Sequence, residues 1–296
     1  MEYPGVAAAQ KASETARAWA RVERIRKRAS GVIKDVRVAA RNRRMASFIV
    51  SYPKTGRTWL RVMLGKALIE RYSLSEERLL DTYKASRAAG IGPVMFSHGG
   101  PRYLFDFRPY DKLTFDADLY RGKKVVHLVR DVRDTLVSYY FQLAKREMLF
   151  EGEMSAFLRD ARFGAPKIIA YYTQWFRNRN VPRAFLAVSY EQMRAEPVET
   201  LTRVLTFLGV ADAARVAPAA VEYASFENMK KMETGGGFKR KMMQPGDAQD
   251  KESYKVRKGK VGGFREYLSD ADIAYVDAQI AALGDAGCDW YKKAEK

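Results

Sequence analysis

The stretch that decides the fold of this chain reads Phe48-Ile49-Val50-Ser51-Tyr52-Pro53-Lys54-Thr55-Gly56-Arg57-Thr58-Trp59-Leu60. An apolar run of strand type leads into a short turn with lysine, glycine and hydroxyl residues, and apolar residues at helical spacing from Leu60 onward predict a helix. Backbone N–H groups at a helix start, the helix dipole and a nearby lysine favour a bound anion, so the pattern predicts a phosphate-binding turn. The spacing differs from that of a Walker A loop, and a tight turn before a core helix is the alternative.

A second candidate anion site follows a second apolar run. Residues 125–129 are typical of a buried strand, Arg130 stands at its C-terminal end, and Asp131 or Asp134 is suited to cap the helix that follows. Ligands of open α/β sheets bind just beyond such strand ends, and Ser138 on the helix is placed to reach the same anion. A solvated charge cluster that caps a helix is the alternative interpretation.

Three further short segments combine charged, polar or aromatic residues. Residues 257–260 read Arg-Lys-Gly-Lys, and adjacent cations beside a flexible glycine can grip a dianion, although such a run is more often a surface loop. Residues 189–191 read Ser-Tyr-Glu and follow an apolar run, and residues 225–227 read Ser-Phe-Glu. Alone, none of the three segments defines a site.

The turn at residues 52–59, Tyr-Pro-Lys-Thr-Gly-Arg-Thr-Trp, closely resembles the 5′-phosphosulfate loop of the cytosolic-type sulfotransferase family. That family moves a sulfuryl group from 3′-phosphoadenosine 5′-phosphosulfate (PAPS) to an acceptor hydroxyl or amine. The other four segments resemble further motifs of the family in the same order, so the chain is identified as a member, and we expect a bacterial one. Strands that alternate with helices predict an α/β fold with a P-loop-like central parallel sheet flanked by helices on both faces.

The resemblance implies a role for each motif. Lys54 would stabilise charge on the leaving phosphate, and Arg130 and Ser138 would hold the 3′-phosphate. The aromatic rings of Trp59 and Phe226 would stack on the adenine. PAPS is therefore the expected co-substrate, and the scheme needs no metal. The residues expected to bind PAPS are Lys54, Thr55, Gly56, Arg57, Thr58, Trp59, Arg130, Ser138, Tyr190, Phe226, Arg257, Lys258 and Gly259.

The sequence contains two histidines, and an acceptor hydroxyl benefits from a general base. His127 falls inside the apolar run at residues 125–129 and is interpreted as a core residue. His98 follows an apolar run and precedes a Gly/Pro loop, a common place for catalytic groups, although a loop histidine without a role is the alternative. The resemblance implies that His98 is the catalytic base and that Lys54 acts beside it.

The chain departs from the family pattern at three points. Position 57 is arginine where the familiar animal enzymes have threonine, and this arginine would contact the donor or form a structural ion pair. Phe96 stands where the acceptor-side motif often has lysine. The family's C-terminal dimerisation motif is not found near the last predicted helix, so the oligomeric state stays open.

Composition limits the remaining possibilities. Of 296 residues, 47% are apolar, which suffices for a core, and the net charge is +18. Cys288 is the one cysteine, which excludes an internal disulfide and fits a reducing compartment. No apolar stretch has the length of a membrane span, and no secretory signal is recognisable. We therefore predict a cytoplasmic protein.

A domain boundary is expected near residue 46. Residues 1–46 are rich in alanine, arginine and lysine and are typical of a basic helical extension, and residues 47–296 are expected to form the sulfotransferase domain. A basic helix can lie on an anionic membrane surface, which would place the protein peripherally at the inner face of a membrane. A solvated helix packed on the core is the alternative, because the apolar face is thin.

Two other function classes stay open at this stage. A P-loop-type nucleotide kinase would bind ATP with Mg²⁺, but the Walker spacing is absent. A non-catalytic polyanion-binding protein would use the charge of +18, yet no nucleic-acid module is recognisable and we expect no nucleic-acid partner. The acceptor, whether a glycan, a lipid or a small alcohol or phenol, is not specified by the sequence.

Overall fold

The structure is a computed structural model and describes residues 40–99, 107–234 and 259–283. It divides the chain into two compact units, Met1–Arg44 and Met45–Lys296. The predicted basic helical extension over residues 1–46 lies almost wholly outside the described residues, so it stays a prediction. The second unit contains every element discussed below.

Within the described residues, a parallel sheet of four strands forms the centre of the second unit, in the order β2-β1-β3-β4. The strands are β1 (Ser47–Ser51), β2 (Val94–Ser97), β3 (Lys124–Val129) and β4 (Ala184–Ser189). All three pairings between neighbouring strands are parallel. The C-terminal ends of the strands therefore meet at one edge of the sheet, where open α/β sheets bind their ligands.

Helices follow the strands and cover the sheet. They are α1 (Arg57–Tyr72), α2 (Thr82–Ala88), α3 (Ala117–Tyr120), α4 (Val132–Phe141), α5 (Met154–Arg159), α6 (Ala165–Arg177), α7 (Tyr190–Ala195), α8 (Pro197–Leu208), α9 (Ala213–Tyr223), α10 (Phe226–Thr234) and α11 (Asp270–Leu283). A π-helical turn at Gln142–Arg146 continues α4, and a short 3₁₀ helix at Gly263–Glu266 precedes α11. In these ranges no helix is both long and apolar enough to cross a membrane.

Two hydrophobic cores lie on opposite faces of the sheet. Alternate side chains of a strand point to opposite faces, and along β1 the side chains of Phe48 and Val50 join one core together with Trp175 of α6. Ile49, which lies between them, joins the other core together with Leu60 of α1. The predicted α/β fold, a central parallel sheet with helices on both faces, is confirmed.

The boundaries of α1 differ from the sequence-based expectation. The apolar pattern starts at Leu60, whereas the helix begins at Arg57, directly after Gly56 with its φ of 91°. The first turn of the helix contains Arg57 and Thr58, which are polar and therefore invisible to an argument from apolar spacing. As a result the N-terminal N–H groups of α1 lie within the predicted phosphate-binding turn itself.

Gly65, in the middle of α1, tests how closely the elements pack. A Cβ atom at this position would overlap the carbonyl oxygen of Leu79. In an open helix Gly→Ala stabilises by about 1 kcal/mol, but backbone overlap costs more than that. We expect Gly65→Ala to lower the free energy of unfolding by about 1–3 kcal/mol in urea titrations. Arg203→Ala, on an exposed position of α8, serves as the control, and an unchanged or raised midpoint for Gly65→Ala would contradict the packing described.

Candidate functional site

The turn between β1 and α1 has an unusual backbone. Lys54 has a φ of 72° and Gly56 a φ of 91°, both in the left-handed region. A side chain at Gly56 would approach the ring of Tyr190 to 2.6 Å, so the position requires glycine for space as well as for conformation. The left-handed backbone of Lys54, a residue with a side chain, costs free energy of order 1–3 kcal/mol and is typical of functional sites.

The N-terminus of α1 lacks the usual internal caps. Within the described residues, no side chain caps the helix at Gly56, and its first turn holds no acidic residue. In contrast, the Asp131 side chain caps α4 by accepting the N–H groups of Arg133 (2.7 Å) and Asp134 (3.2 Å). Of the two caps considered from the sequence, Asp131 is therefore the one the helix uses. The N-terminus of α1 keeps the field that favours an external anion.

Arg130, at the end of β3, ties several parts of the site together. Its Nη1 donates to the Lys54 carbonyl oxygen (3.3 Å), and its Nη2 donates to the Lys260 carbonyl oxygen (3.0 Å). The guanidinium lies 4.3 Å from the ring centre of Tyr190. The Tyr172 hydroxyl fixes the backbone of Arg130, since it accepts the Arg130 N–H (3.2 Å) and donates to its carbonyl oxygen (3.1 Å). This arginine is thus held at the strand end from both its backbone and its side chain.

Asp134 holds the segment that follows residue 258 against α4. Its carboxylate accepts the backbone N–H groups of Gly262 and Phe264, both at 2.9 Å, and lies 3.5 Å from Nη2 of Arg130. Burial raises the pKa of this carboxyl above its usual value, against the opposing effects of Arg130 and the two N–H groups. The interaction places Gly259 and Lys260 beside the end of β3.

Three aromatic side chains, those of Trp59, Tyr190 and Phe226, line another part of the site. Trp59 donates its indole N–H to the Ala224 carbonyl oxygen (2.8 Å), and its ring meets that of Tyr190 edge to face at 6.0 Å between centroids. Phe226 contacts Gly259 so closely that a Cβ atom there would lie 2.9 Å from the phenyl ring. Flat apolar surfaces of this kind suit the stacking of a nucleobase.

The Ser-Tyr-Glu segment is held in place by its two outer residues. Ser189 forms a capping box with Gln192 at the start of α7, and the Glu191 carboxylate accepts the Asp131 N–H at 3.0 Å. These contacts direct the Tyr190 ring between Trp59 and Arg130. The segment therefore positions an aromatic surface, and its serine and glutamate serve the scaffold.

The two histidines occupy different environments. The His98 ring follows β2, is nearly buried, and its Nδ1 lies 2.9 Å from the Ser51 carbonyl oxygen. His127 lies inside β3, fully buried among the rings of Tyr171, Tyr172 and Trp175, and burial lowers its pKa to about 3. His127 is a neutral core residue, as the sequence predicts, and His98 is the histidine at the ligand edge.

Lys54 is connected to α4 by a polar chain. Its Nζ donates to Oε1 of Gln142 (3.2 Å), and Nε2 of Gln142 donates to Oε1 of Glu147 (2.6 Å). Gln142 and Glu147 flank the π-helical turn, a local irregularity that is frequent at functional sites. The chain of contacts directs the lysine ammonium into the site.

A cleft of about 220 Å³ brings these residues together. Of the sequence-predicted site residues, those that line it are Lys54, Gly56, Arg57, Thr58, Trp59, His98, Arg130, Ser138, Tyr190, Phe226 and Gly259. Thr55 is not among the residues that line the cleft, and its buried hydroxyl donates to the Tyr52 carbonyl oxygen at 3.0 Å, so its contact with the donor stays a prediction. Arg257 and Lys258 lie outside the described residues.

Several cleft residues were not predicted from the sequence. They are Asp134, Gln142, Glu147, Arg194 and Lys260. Asp134 and Lys260 lie inside motifs that the sequence singles out, and a count of charged residues there would have included them. Gln142 and Glu147 follow no pattern, because a π-helical turn brings them to the cleft. Among the described residues, no group of three or more His, Cys, Asp or Glu side chains is placed to hold a metal ion.

Comparison with known proteins identifies the class. A family model described as a sulfotransferase domain matches residues 45–286, which is most of the chain. The chain therefore belongs to the sulfotransferase family, and the family membership predicted from the motifs is confirmed.

Individual relatives and solved structures are similar to the chain over most of its length. Cytosolic sulfotransferase 16 of Arabidopsis thaliana is 29% identical, over 80% of this chain and 75% of that protein. Flavonol 3-sulfotransferase of Flaveria bidentis is 25% identical, over 81% of this chain and 82% of that protein. The structure of mouse sulfotransferase SULT7A1 complexed with PAP matches with a TM-score of 0.57 at 20% identity, covering 85% of this chain and 88% of that one. Retinol dehydratase, in complex with androsterone and inactive cofactor PAP, matches with a TM-score of 0.53 at 16% identity, covering 81% and 80%.

The neutral core position of His127 predicts a pH dependence of stability. Its pKa of about 3 in the fold lies below the value of 6.5 for an exposed histidine, so between these values the unfolded chain binds the proton and the fold does not. The folded state is therefore destabilised as the pH falls below 6.5. We expect acidification from pH 7 to pH 5 to cost about 2 kcal/mol through this group.

The measurement is urea unfolding of the wild type and His127→Phe at both pH values. The variant lacks the titrating ring and is expected to lose about 2 kcal/mol less between them. An equal loss in both proteins would show that the ring of His127 is protonated in the fold.

Proposed function

We propose that this sulfotransferase transfers a sulfuryl group from PAPS directly to an acceptor hydroxyl, with His98 as the general base. The observation that supports the proposal most strongly is the meeting of Lys54, Arg130, Ser138 and His98 in one cleft, from separate parts of the sequence. The family match and the PAP named in the similar structures support PAPS as donor, since PAP (3′-phosphoadenosine 5′-phosphate) is what remains of PAPS after transfer.

The contact of His98 with Ser51 favours the tautomer that a base needs. A backbone carbonyl oxygen only accepts hydrogen bonds, so Nδ1 of His98 carries the proton that it donates to Ser51. In the neutral ring Nε2 then has the lone pair that can take the proton of an acceptor hydroxyl. The Ser51 carbonyl also holds the ring at the end of the sheet.

The transfer conserves atoms and charge in a single displacement. The acceptor oxygen forms a bond to sulfur while the bond between sulfur and the 5′-phosphate oxygen breaks, and the acceptor proton passes to His98. Negative charge develops on the leaving phosphate, where Lys54 and the N–H groups at the start of α1 stabilise it. Catalysis of this type depends on positioning and electrostatics, as in phosphoryl transfer.

The donor and acceptor are assigned to opposite parts of the cleft. The 3′-phosphate would lie at Arg130 and Ser138, and the adenine between Trp59 and Phe226. Arg257 and Lys258 are proposed to close over the 3′-phosphate, on the basis of the motif alone. The acceptor would lie on the side of His98.

The acceptor class is supported by the names of relatives. One is a flavonol 3-sulfotransferase and another matching structure contains retinol, and both names refer to compounds with hydroxyl groups. Association of the basic extension with an anionic membrane surface stays a prediction, because residues 1–39 lie outside the described part of the chain. The cytoplasmic location also stays a prediction, and the oligomeric state stays open.

His98→Ala tests the assignment of the base. Removing a general base lowers turnover by about 10²–10⁴-fold, and PAP affinity should stay within about threefold because His98 lies on the acceptor side. Turnover is measured with PAPS and a phenolic acceptor, and PAP binding by calorimetry. His127→Phe is the matched control and is expected to keep near-normal turnover at pH 7.5; unchanged turnover in His98→Ala would remove His98 from the mechanism.

Lys54→Met tests the stabilisation of the leaving phosphate. We expect PAP affinity to fall about tenfold or more, and turnover to fall further, because charge on the leaving oxygen increases in the transition state. Gln142→Leu removes one hydrogen-bond partner of Lys54 and leaves the charge of the lysine, so a smaller loss of both PAP affinity and turnover is expected. Normal PAP affinity and turnover in Lys54→Met would contradict the assigned role.

A further inference from the structure

Arg57 is the one cleft cation among the described residues that has neither a hydrogen bond, an ion pair nor a ring contact. Five lysine and arginine side chains line the cleft, and the other four each have a partner. Lys54 donates to Gln142, Arg130 to two carbonyl oxygens, Lys260 pairs with Glu266 at 2.9 Å, and Arg194 lies over the Trp59 ring.

The surroundings of Arg57 make its lack of a partner costly. Burial and, to a smaller extent, the neighbouring Arg61 lower the pKa of its guanidinium to about 9, against a smaller opposing effect of Tyr171. A partly buried cation beside a second cation is unfavourable unless an anion binds to it. Among the described residues that line the cleft, the two acids are already used: Asp134 accepts backbone N–H groups, and Glu147 accepts the side-chain amide of Gln142.

The neighbours of Arg57 place it on the acceptor side. The Arg61 guanidinium lies 4.6 Å from the ring centre of Phe96 in β2, and the Tyr171 ring lies 3.1 Å from the position that a Cβ atom on Gly99 would take. Both neighbours therefore border the end of β2, which leads into His98. The aromatic residues assigned to the adenine, Trp59 and Phe226, lie in the other part of the cleft.

The position of Phe96 adds to this argument. It stands two residues before His98 in β2, whose sequence Val-Met-Phe-Ser brings no cation to this side of the cleft. Arg57 supplies one from the adjacent element, since β1, which leads into α1, pairs with β2 with Ile49 opposite Phe96.

We propose that Arg57 binds a negatively charged group on the acceptor, a carboxylate, sulfate or phosphate that the acceptor carries in addition to the hydroxyl to be sulfated. The inference rests on the proposed function and specifies the substrate class of the same site. Arg57 is then a specificity residue, and the acceptor is an anion. A guanidinium suits this task because it can donate two parallel hydrogen bonds to one anionic group.

The test compares acids with their own methyl esters. Wild type, Arg57→Gln and Arg57→Lys are assayed with saturating PAPS on para-hydroxybenzoate, para-hydroxyphenylacetate and its one-carbon-longer homologue, each beside its methyl ester. The ester keeps the phenol and removes the charge. Binding of the same compounds to the PAP-saturated enzyme is measured by calorimetry, so that a slowly reacting phenol still gives a result.

The expected result is a preference of wild type for at least one acid over its ester by about tenfold or more in kcat/KM or in affinity. In Arg57→Gln this ratio falls to within about twofold of unity because the acid loses far more activity or affinity than its ester, whereas Arg57→Lys keeps a clear preference. Misfolding would lower the activity on acid and ester alike, so a loss of the preference for the acid over its ester cannot arise from misfolding.

Three results would overturn the proposal. The first is a wild type that shows no preference for any acid, including the case where no acid binds. The second is an Arg57→Gln variant that keeps the preference. The third is an Arg57→Gln variant whose activity on acid and ester and whose affinity for PAP fall alike, which would make Arg57 a donor contact. A wild type that does not bind PAP would instead overturn the proposed function, and with it this inference, and is recognised by the calorimetric titration alone.

Discussion

The site depends on the interactions of the buried guanidinium of Arg130. With only 12% of its side chain exposed, this charge requires partners, and it finds them in the Lys54 and Lys260 carbonyl oxygens, the Asp134 carboxylate and the face of Tyr190. Those partners belong to the loop after β1, the segment after residue 258, α4 and α7. One cation thus joins four of the elements that line the cleft, and an incoming phosphate would complete its coordination or exchange with a carbonyl oxygen. In the proposed function the arginine therefore links the order of the scaffold to the binding of the donor.

The cations on the donor side and on the acceptor side of the cleft are held in different ways. On the donor side, cations are already held by protein groups, so little has to be reorganised when a nucleotide with several negative charges binds. Beside His98, the ring is fixed by a carbonyl oxygen while Arg57 is held by no polar group of the described chain. Cations already held by protein groups are suited to binding one constant donor, and a cation without such a partner is suited to recognising a particular acceptor. The same loop, residues 54–58, serves both sides because its left-handed turns at Lys54 and Gly56 place the start of α1 between them.

The sequence predicted the parts of the site that depend on local pattern. The strand, turn and helix of residues 48–60 and the strand end at Arg130 follow from the residue pattern, whereas Tyr190 and Phe226 were implied by the resemblance to the family. Eleven of the predicted residues line one cleft. The features that the residue pattern does not indicate have a common origin in tertiary contacts. Thr55 turns its hydroxyl to the backbone of Tyr52, Asp134 receives the N–H groups of a segment more than a hundred residues away, and a π-helical turn presents Glu147. Such contacts are set by packing, and a residue pattern carries no record of them.

The most direct test of the account is a calorimetric titration of the wild-type protein with PAP, with adenosine 5′-phosphate, and with ATP in the absence of Mg²⁺. The account predicts that PAP binds at least about tenfold more tightly than either of the others, because Arg130 and Ser138 recognise the 3′-phosphate, and that Arg130→Met removes this difference. Equal affinity for PAP and adenosine 5′-phosphate, or a preference for ATP, would contradict the assignment of the cleft as a PAPS site and with it the proposed sulfuryl transfer.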